Sequence, residues 1–331
     1  MDNNFYKNKN VLVTGGAGMI GKCVVEDLVN RGSNVRVADL CDKSRVHPNT
    51  EFMQYDLREY ENCAKACKGM DFVFSLIGIK CSPKTVQERP STIMVNFLRF
   101  NTNMMEAAHK EGVERFLYTS TIGVYSPAEV FKEDDVWDTF PSKNDWYGGW
   151  AKRVGELQAE TYAKEYGWDK IAIVRPANVY GAYDNFDPES SMVVPSLIHR
   201  AMQGHNPFEV WGDGSPLRDF IHAKDVARGM LMAVENCPGP FKPMNLGSGS
   251  GYTIKHLVET IVSNLDQKPE IKWLIDKPSG DKKRIFDISR AEELIGWKPK
   301  ISLEEGIKET MEWYKENKEI INKRYDVFKT K

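Results

Sequence analysis

The chain has 331 residues, with 45 Lys and Arg against 47 Asp and Glu and a formal net charge of −2. That balance supplies no basic field for a nucleic acid, and the length suffices for a large α/β core with one appended region. Six scattered cysteines (Cys23, Cys41, Cys63, Cys67, Cys81, Cys237) lack metal-ligand spacing and read as reduced thiols; with no signal peptide and no apolar stretch of about 18 residues, the expectation is a cytoplasmic protein without metal or membrane.

Residues 11–21 read VLVTGGAGMIG. Val11, Leu12 and Val13 form the apolar run of a buried parallel strand. Gly15, Gly18 and Gly21 follow at once. Ile20, Val24, Val25 and Leu28 then recur at helical spacing until Gly32 ends the helix. A strand, a glycine turn and a helix opening under it make a dinucleotide site. Glycine admits the pyrophosphate to the backbone, and the helix start offers free N–H groups. The spacing is G-x-x-G-x-x-G rather than G-x-G-x-x-G.

A second strand, SNVRVADL, ends in Asp39, eighteen residues after Gly21. That is near the position of a carboxylate that binds the adenosine ribose. A carboxylate repels a 2′-phosphate, so NAD is expected over NADP, although Arg45 just beyond is suited to a phosphate. Asp56 and Leu57 suit an adenine-edge contact.

The alternation continues with a strand at 71–78 ending in Gly78 and a helix at 91–111 carrying Asn96, Asn101 and Asn103. A strand at 115–125, a helix at 150–166 and a strand at 170–181 follow. In open α/β sheets, ligands sit at the carboxyl ends of strands. Gly15 to Gly21, Asp39, Gly78, Ser120, Thr121 and Pro176 to Asn178 should therefore converge on one crevice. After residue 181 Gly, Pro and loop signals become frequent, and 211–227 reads as a long structured loop leading into a helix. The expected fold class is α/β: a Rossmann-type doubly wound parallel sheet with a smaller C-terminal α/β substrate-binding region. Residues 1–176 would bind the dinucleotide, with segments near 210–230 and 240–250 returning to that unit. Residues 177–331 would mainly bind substrate. The charged stretch 316–331 carries no readable function.

Together TGGAGMIG, the acid in VADL, YDLRE, YTSTIGVY, GGWAKRVGELQAE, RPANVYG, WGDGSPLRDFIHAKD, NLGSGSGYTI and IGWKPKISLEEGIKETMEWY resemble the extended short-chain dehydrogenases/reductases of the NAD-dependent epimerase/dehydratase family. Within it, RPANVYGAYDNFDPESSMVVPSLIHR is most similar to GDP-fucose synthases. The resemblance implies an enzyme acting on a nucleotide-sugar, with a GDP-sugar favoured. It assigns Gly15, Gly18, Met19, Ile20, Gly21, Asp39, Asp56, Leu57, Leu76, Gly78, Asn96, Thr119, Lys152, Pro176 and Asn178 to the cofactor. Ser120, Thr121, Asn178, Val193, Trp211, Arg218 and Arg284 are assigned to the substrate.

The family's active centre is a Ser/Thr, a Tyr and a Lys. Thr121 and Lys152 match the first and last. The spacing Tyr-x-x-x-Lys points to position 148, which is Gly. Tyr147 stands one residue early, and a one-residue step turns a helical side chain by about 100°. Tyr183 is the second candidate, where GDP-fucose synthases carry a catalytic His. The acids of the family's dehydratases are replaced by Ile122 and Gly123, and Gly123 also stands where GDP-fucose synthases use a Cys. Dehydration and double epimerisation are therefore disfavoured. Hydride chemistry at a sugar carbon, most simply C4, remains. The alternatives are an NADP(H)-dependent 4-keto-sugar reductase and a non-catalytic NAD-binding protein. A homodimer through the Lys152 helix and the helix before it is also implied, with Met104, Met105 and Trp150 as candidates for its face or for the core.

Overall fold

In the computed structural model, which describes residues 4–79, 83–277, 281–319 and 321, the apolar run at the start becomes β1 (Asn10–Thr14). Cys81 lies outside the described residues. The chain continues through α1 (Met19–Asn30), β2 (Asn34–Asp39), β3 (Glu51–Gln54), α2 (Tyr60–Cys67), β4 (Phe72–Ser75), α3 (Pro83–Glu88) and α4 (Pro90–Lys110). Then come β5 (Arg115–Thr119), β6 (Val130–Phe131), α5 (Trp146–Tyr166), β7 (Ile171–Pro176), β8 (Asn178–Tyr180) and α6 (Val193–Met202). The remainder is β9 (Phe208–Trp211), β10 (Leu217–Arg218), β11 (Phe220–His222), α7 (Ala223–Asn236), β12 (Met244–Leu246), β13 (Tyr252–Thr253), α8 (Ile254–Ser263), β14 (Ile271–Leu274), β15 (Lys283–Phe286), α9 (Ser289–Ile295) and α10 (Leu303–Glu316).

Seven strands form one parallel sheet in the order β12-β7-β5-β4-β1-β2-β3. The order reverses on either side of β1, the arrangement of a doubly wound fold. Side chains alternate between its two faces. Val11, Val13, Phe72 and Phe74 pack against α1 and α7, while Leu12 and Val73 pack against α2, α4 and α5. These residues are at most 1 % exposed, and each such burial stabilises by roughly 1.5–3 kcal/mol. A second core joins α6, β9, α8 and α10 through Leu197, Phe208, Leu257 and Ile307. It carries a four-stranded sheet, β13-β10-β15-β6, and the pairs β11-β8 and β14-β9. The chain crosses between the two regions: β6 pairs with β15, and β12 closes the edge of the central sheet beside β7.

Four sequence expectations need correction. The strand read over 115–125 ends at Thr119, because the Thr121 side chain accepts a hydrogen bond from Gly123 N and caps a 3₁₀ turn, Ile122–Val124. The strand read over 170–181 breaks at Ala177. Its amide bonds to Leu246 O, whereas Asn178 N turns to Asp219 O, so β8 leaves the large sheet. Residues 211–227 are not one loop but hold β10 and β11. The helix read from 150 starts at Trp146, which places Gly148 and Gly149 inside it. In addition, Met104 and Met105 are core residues at 1 % and 0 % exposure rather than a dimer face. Trp150 instead packs beside Phe140 and Trp146.

Candidate active site

The carboxyl ends of β1, β2, β4, β5 and β7 open into one cavity of about 1070 Å³. At its floor Gly15 has φ +67°, a left-handed conformation that suits glycine. A Cβ on Gly21 would lie 2.2 Å from Gly15 O and 2.8 Å from Gly16 Cα. The absence of that carbon lets α1 begin directly under the turn. No side chain caps α1, so its positive end faces the cavity. Met19 and Ile20 line the wall with the glycines.

Asp39 closes this end. Its two carboxylate oxygens accept from Ala17 N (3.2 Å) and Cys41 N (3.1 Å), which orients the carboxylate at the cavity edge beside Arg45. Asp56 and Leu57 also line the wall. Arg58 grips the Asp56 carboxylate with two nitrogens and holds it below the usual carboxylate range. Leu76, Gly78, Asn96, Pro176 and Asn178 also line the cavity.

Thr119 at the end of β5, with Ser120 and Thr121 after it, enters the cavity and meets Lys152 from α5. Lys152 Nζ donates to Thr119 O at 2.8 Å and to Asn101 Oδ1 at 3.4 Å. Burial is the main influence on this amine and pulls its pKa down to about 7, while Glu156 one turn on opposes the shift. Thr121 Oγ1 accepts from Gly123 N, so its hydroxyl proton is left to donate. Behind this group, Ser120 Oγ donates to Glu156 Oε1 at 2.5 Å, and Arg175 holds both Glu156 oxygens at 2.9 and 2.5 Å. Glu156 and Arg175 are 1 % and 0 % exposed.

The tyrosines are elsewhere. Tyr147 is 44 % exposed and does not line the cavity. Tyr183 has φ +63°, and its ring packs between Lys22 Nζ (4.3 Å) and Trp313 (4.6 Å); it too is outside the lining. Gly148 does line the cavity. A Cβ there would make only ordinary contacts, 3.6 Å to Ile93 and 3.7 Å to Phe97. Gly149 is different: a Cβ would lie 2.3 Å from Gly123 O, so the helix seats directly on the 3₁₀ turn.

A family model described as "NAD dependent epimerase/dehydratase family" matches residues 11–247. The chain belongs to this family. It is 32 % identical to a probable GDP-L-fucose synthase of Oryza sativa over 94 % of this chain and 93 % of that protein. The Thermotoga maritima UDP-glucose 4-epimerase, solved with UDP-glucose, superposes with a TM-score of 0.80 at 29 % identity, covering 94 % of this chain and 100 % of that one. The Thermus thermophilus UDP-glucose 4-epimerase in complex with NAD gives 0.79 at 26 % identity, over 93 % and 99 %. The protein is thus an enzyme of the nucleotide-sugar epimerase/reductase class.

The residues present fit the family's dinucleotide. The glycine cradle excludes a Cβ where a pyrophosphate would rest, the uncapped α1 offers amides, and Thr119 Oγ1 is buried without a partner among the described residues. On the sugar side the placement is mixed. Asn178 and Val193 line the cavity; Trp211, Arg218 and Arg284 do not. Trp211 is 60 % exposed at the end of β9, where the strand's alternation turns every second side chain outward. Arg218 NH1 turns to Leu217 O and Asp281 O. Arg284 stands behind the wall and reaches it through Asp145 Oδ2 at 3.1 Å; its Nε is buried without a partner. Asp145 lines the cavity and escaped the sequence reading. The only signal for it is its spacing from Lys152, seven residues and two helical turns on one face.

Among the described residues no helix is long and apolar enough to cross a membrane.

Proposed function

We propose that the protein is an NAD-dependent nucleotide-sugar epimerase or dehydrogenase that transfers a hydride at a sugar carbon, most simply C4, with a GDP-sugar as the favoured substrate. The observation that carries this reading is the convergence of the glycine cradle, Asp39, Thr121 and Lys152 on one cavity. NAD is preferred because the Asp39 carboxylate stands where a 2′-phosphate would be repelled. When bound, the dinucleotide supplies the hydride acceptor and donor. Lys152, held by Thr119 O and Asn101, positions the nicotinamide ribose. The Thr121 hydroxyl donates to the oxygen on the reacting carbon, and Ser120 is fixed beneath it by Glu156. Arg284 and Arg218, from outside the lining, offer positive charge to the sugar diphosphate, and Asn178 and Val193 border the sugar and base. The role of Trp211 against the base requires the substrate to extend beyond the cavity lining.

In this reading residues 1–176 hold the cofactor and 177–331 mainly the nucleotide-sugar. A homodimer through α4 and α5 is supported by exposed Val95, Val154 and Leu157 on those helices. A second reading, an NADP(H)-dependent 4-keto-sugar reductase, rests on Arg45 in the lining beside Asp39.

Isotope transfer tests the reaction. Incubation with a panel of nucleotide-hexoses deuterated at C4 should place deuterium on the nicotinamide or return it to an inverted C4. Products that keep all of that deuterium at a C4 of unchanged configuration, formed without a deuterium isotope effect and without label on the nicotinamide, would exclude hydride chemistry at C4. Incorporation from reduced NADP alone would move the reading to the reductase.

A further inference from the structure

Residue 148 leaves an opening in the wall where the family's phenol would project, with nothing closer than Ile93 Cγ2 at 3.6 Å to fill it. The same cavity wall carries a carboxylate. Asp145 immediately precedes α5 and lines the same cavity as Gly148, Gly149 and Lys152. A Cβ built on Gly123 would meet Asp145 Cγ and Thr121 Cγ2 each at 3.4 Å. The carboxyl and the Thr121 methyl therefore flank one point on the wall. Asp145 Oδ2 is fixed by Ser142 Oγ at 3.0 Å and Arg284 at 3.1 Å. Asp145 Oδ1 has no hydrogen bond among the described residues, and the side chain is 31 % exposed. One oxygen is thus anchored and the other is left for a ligand.

We propose that Asp145 is the proton carrier of this enzyme, in place of the tyrosine absent at position 148. The proposal rests on the hydride-transfer reading above. In the oxidising direction the sugar O–H bond breaks and its proton passes to Asp145 Oδ1. The O–H electron pair closes the C=O bond, and the C–H hydride leaves to an oxidised nicotinamide dinucleotide, the one co-reactant required. Thr121 donates to the same oxygen throughout. In the reducing direction the Asp145 carboxylic acid returns its proton to the oxygen as hydride reaches the carbon. Arg284 and Ser142 set the rotamer of the carboxylate and keep it aimed past Gly123. The small residue at 123 helps here: a Cβ would press on Asp145 Cβ at 3.3 Å and on Asp145 Cγ and the Thr121 methyl at 3.4 Å, so glycine leaves the carboxyl its room beside Thr121.

The test compares Asp145→Asn, Asp145→Glu, Gly148→Tyr and the double variant Asp145→Asn/Gly148→Tyr. Asn is isosteric and its amide oxygen still accepts from Arg284, so the fold should survive. We expect Asp145→Asn to lower kcat by about 10²–10⁴-fold, with the calorimetric Kd values for dinucleotide and nucleotide-sugar within about threefold of the parent. Asp145→Glu should recover part of the loss. The double variant should recover at least tenfold, because a phenol at 148 occupies the open notch. Parental kcat in Asp145→Asn, or a loss wholly in Kd, overturns the proton role while leaving the hydride-transfer reading intact. A parent protein that turns over no nucleotide-sugar overturns that reading and Asp145 with it.

Discussion

Lys152→Met should abolish most turnover, by about three orders of magnitude or more, and yet stabilise the unliganded fold at neutral pH. The loss of activity follows from position. Lys152 is the one lysine among the described residues of the cavity lining, held between Thr119 O and Asn101 Oδ1, and positioning groups of this kind carry large parts of a barrier. The gain in stability follows from burial. An unfolded lysine binds its proton up to pH ~10.4, whereas burial lowers the folded value to about 7. Between those values the unfolded state binds more protons, so stability rises with pH across that window. Below about pH 7 both states are protonated and the fold carries the full cost of a buried ammonium. That cost converts to about 5 kcal/mol. Losing the bond to Thr119 O offsets about 1–2 kcal/mol, which leaves a net gain of about 3 kcal/mol. Thermal melts of parent and variant at pH 6.5 and pH 10.5 check the sign. The variant should melt higher at the lower pH, and the difference should shrink at the higher. A variant that is less stable at pH 6.5 contradicts the account of Lys152.

Glu156→Gln acts in the opposite direction. Glu156 is the only carboxylate that the fully buried Arg175 guanidinium bonds among the described residues, through both oxygens. Removing the charge leaves a cation in the core, which costs about 3–5 kcal/mol. The Arg175 bonds to Tyr125 OH and Glu133 O, at 3.0 and 2.9 Å, are too few to compensate, since neither partner is an anion beside the guanidinium. The one amide oxygen that Gln keeps can still accept from Ser120 and Arg175 Nε, but an NH2 group then faces Arg175 Nη2 where Oε2 accepted. Urea melts should show the destabilisation. Replacing both partners, Glu156→Gln with Arg175→Met, should recover a large part of it, because an apolar side chain at 175 needs no anion. If the single variant melts within about 1 kcal/mol of the parent, the network is not what orders this part of the core.

The glycine end of the cavity was readable in the sequence because it is written in local pattern. Val11 to Val13, the three glycines and the helix that follows are contiguous, and Asp39 ends the next strand; each structural consequence is set within a few residues. The boundaries that failed depend on distant partners. The break at Ala177 is decided by Leu246 and Asp219. The early start of α5 was masked by Gly148 and Gly149, which disfavour a helix by about 1 kcal/mol each, and is allowed because Gly149 packs on Gly123. The sugar end was less legible for the same reason. Tyr183 belongs to a familiar stretch, but its left-handed backbone turns the ring onto Lys22 and Trp313. Arg284 lies 139 residues from the aspartate it pairs with. Asp145 reads as part of a polar loop, PSKND, and acquires meaning only when β5 and α5 bring Thr121 and Lys152 beside it.

The central claim is that one cavity holds a nicotinamide dinucleotide and a nucleotide-sugar together. Mass spectrometry of small molecules released from the purified, denatured protein tests it most directly, with parallel samples first incubated with NAD, NADP and GDP- or UDP-hexoses and then desalted. The account predicts NAD(H) in preference to NADP(H), and retention of a nucleotide-sugar with it, a GDP-hexose before a UDP-hexose. A protein that retains neither a dinucleotide nor a nucleotide-sugar after incubation at millimolar concentration would contradict the account.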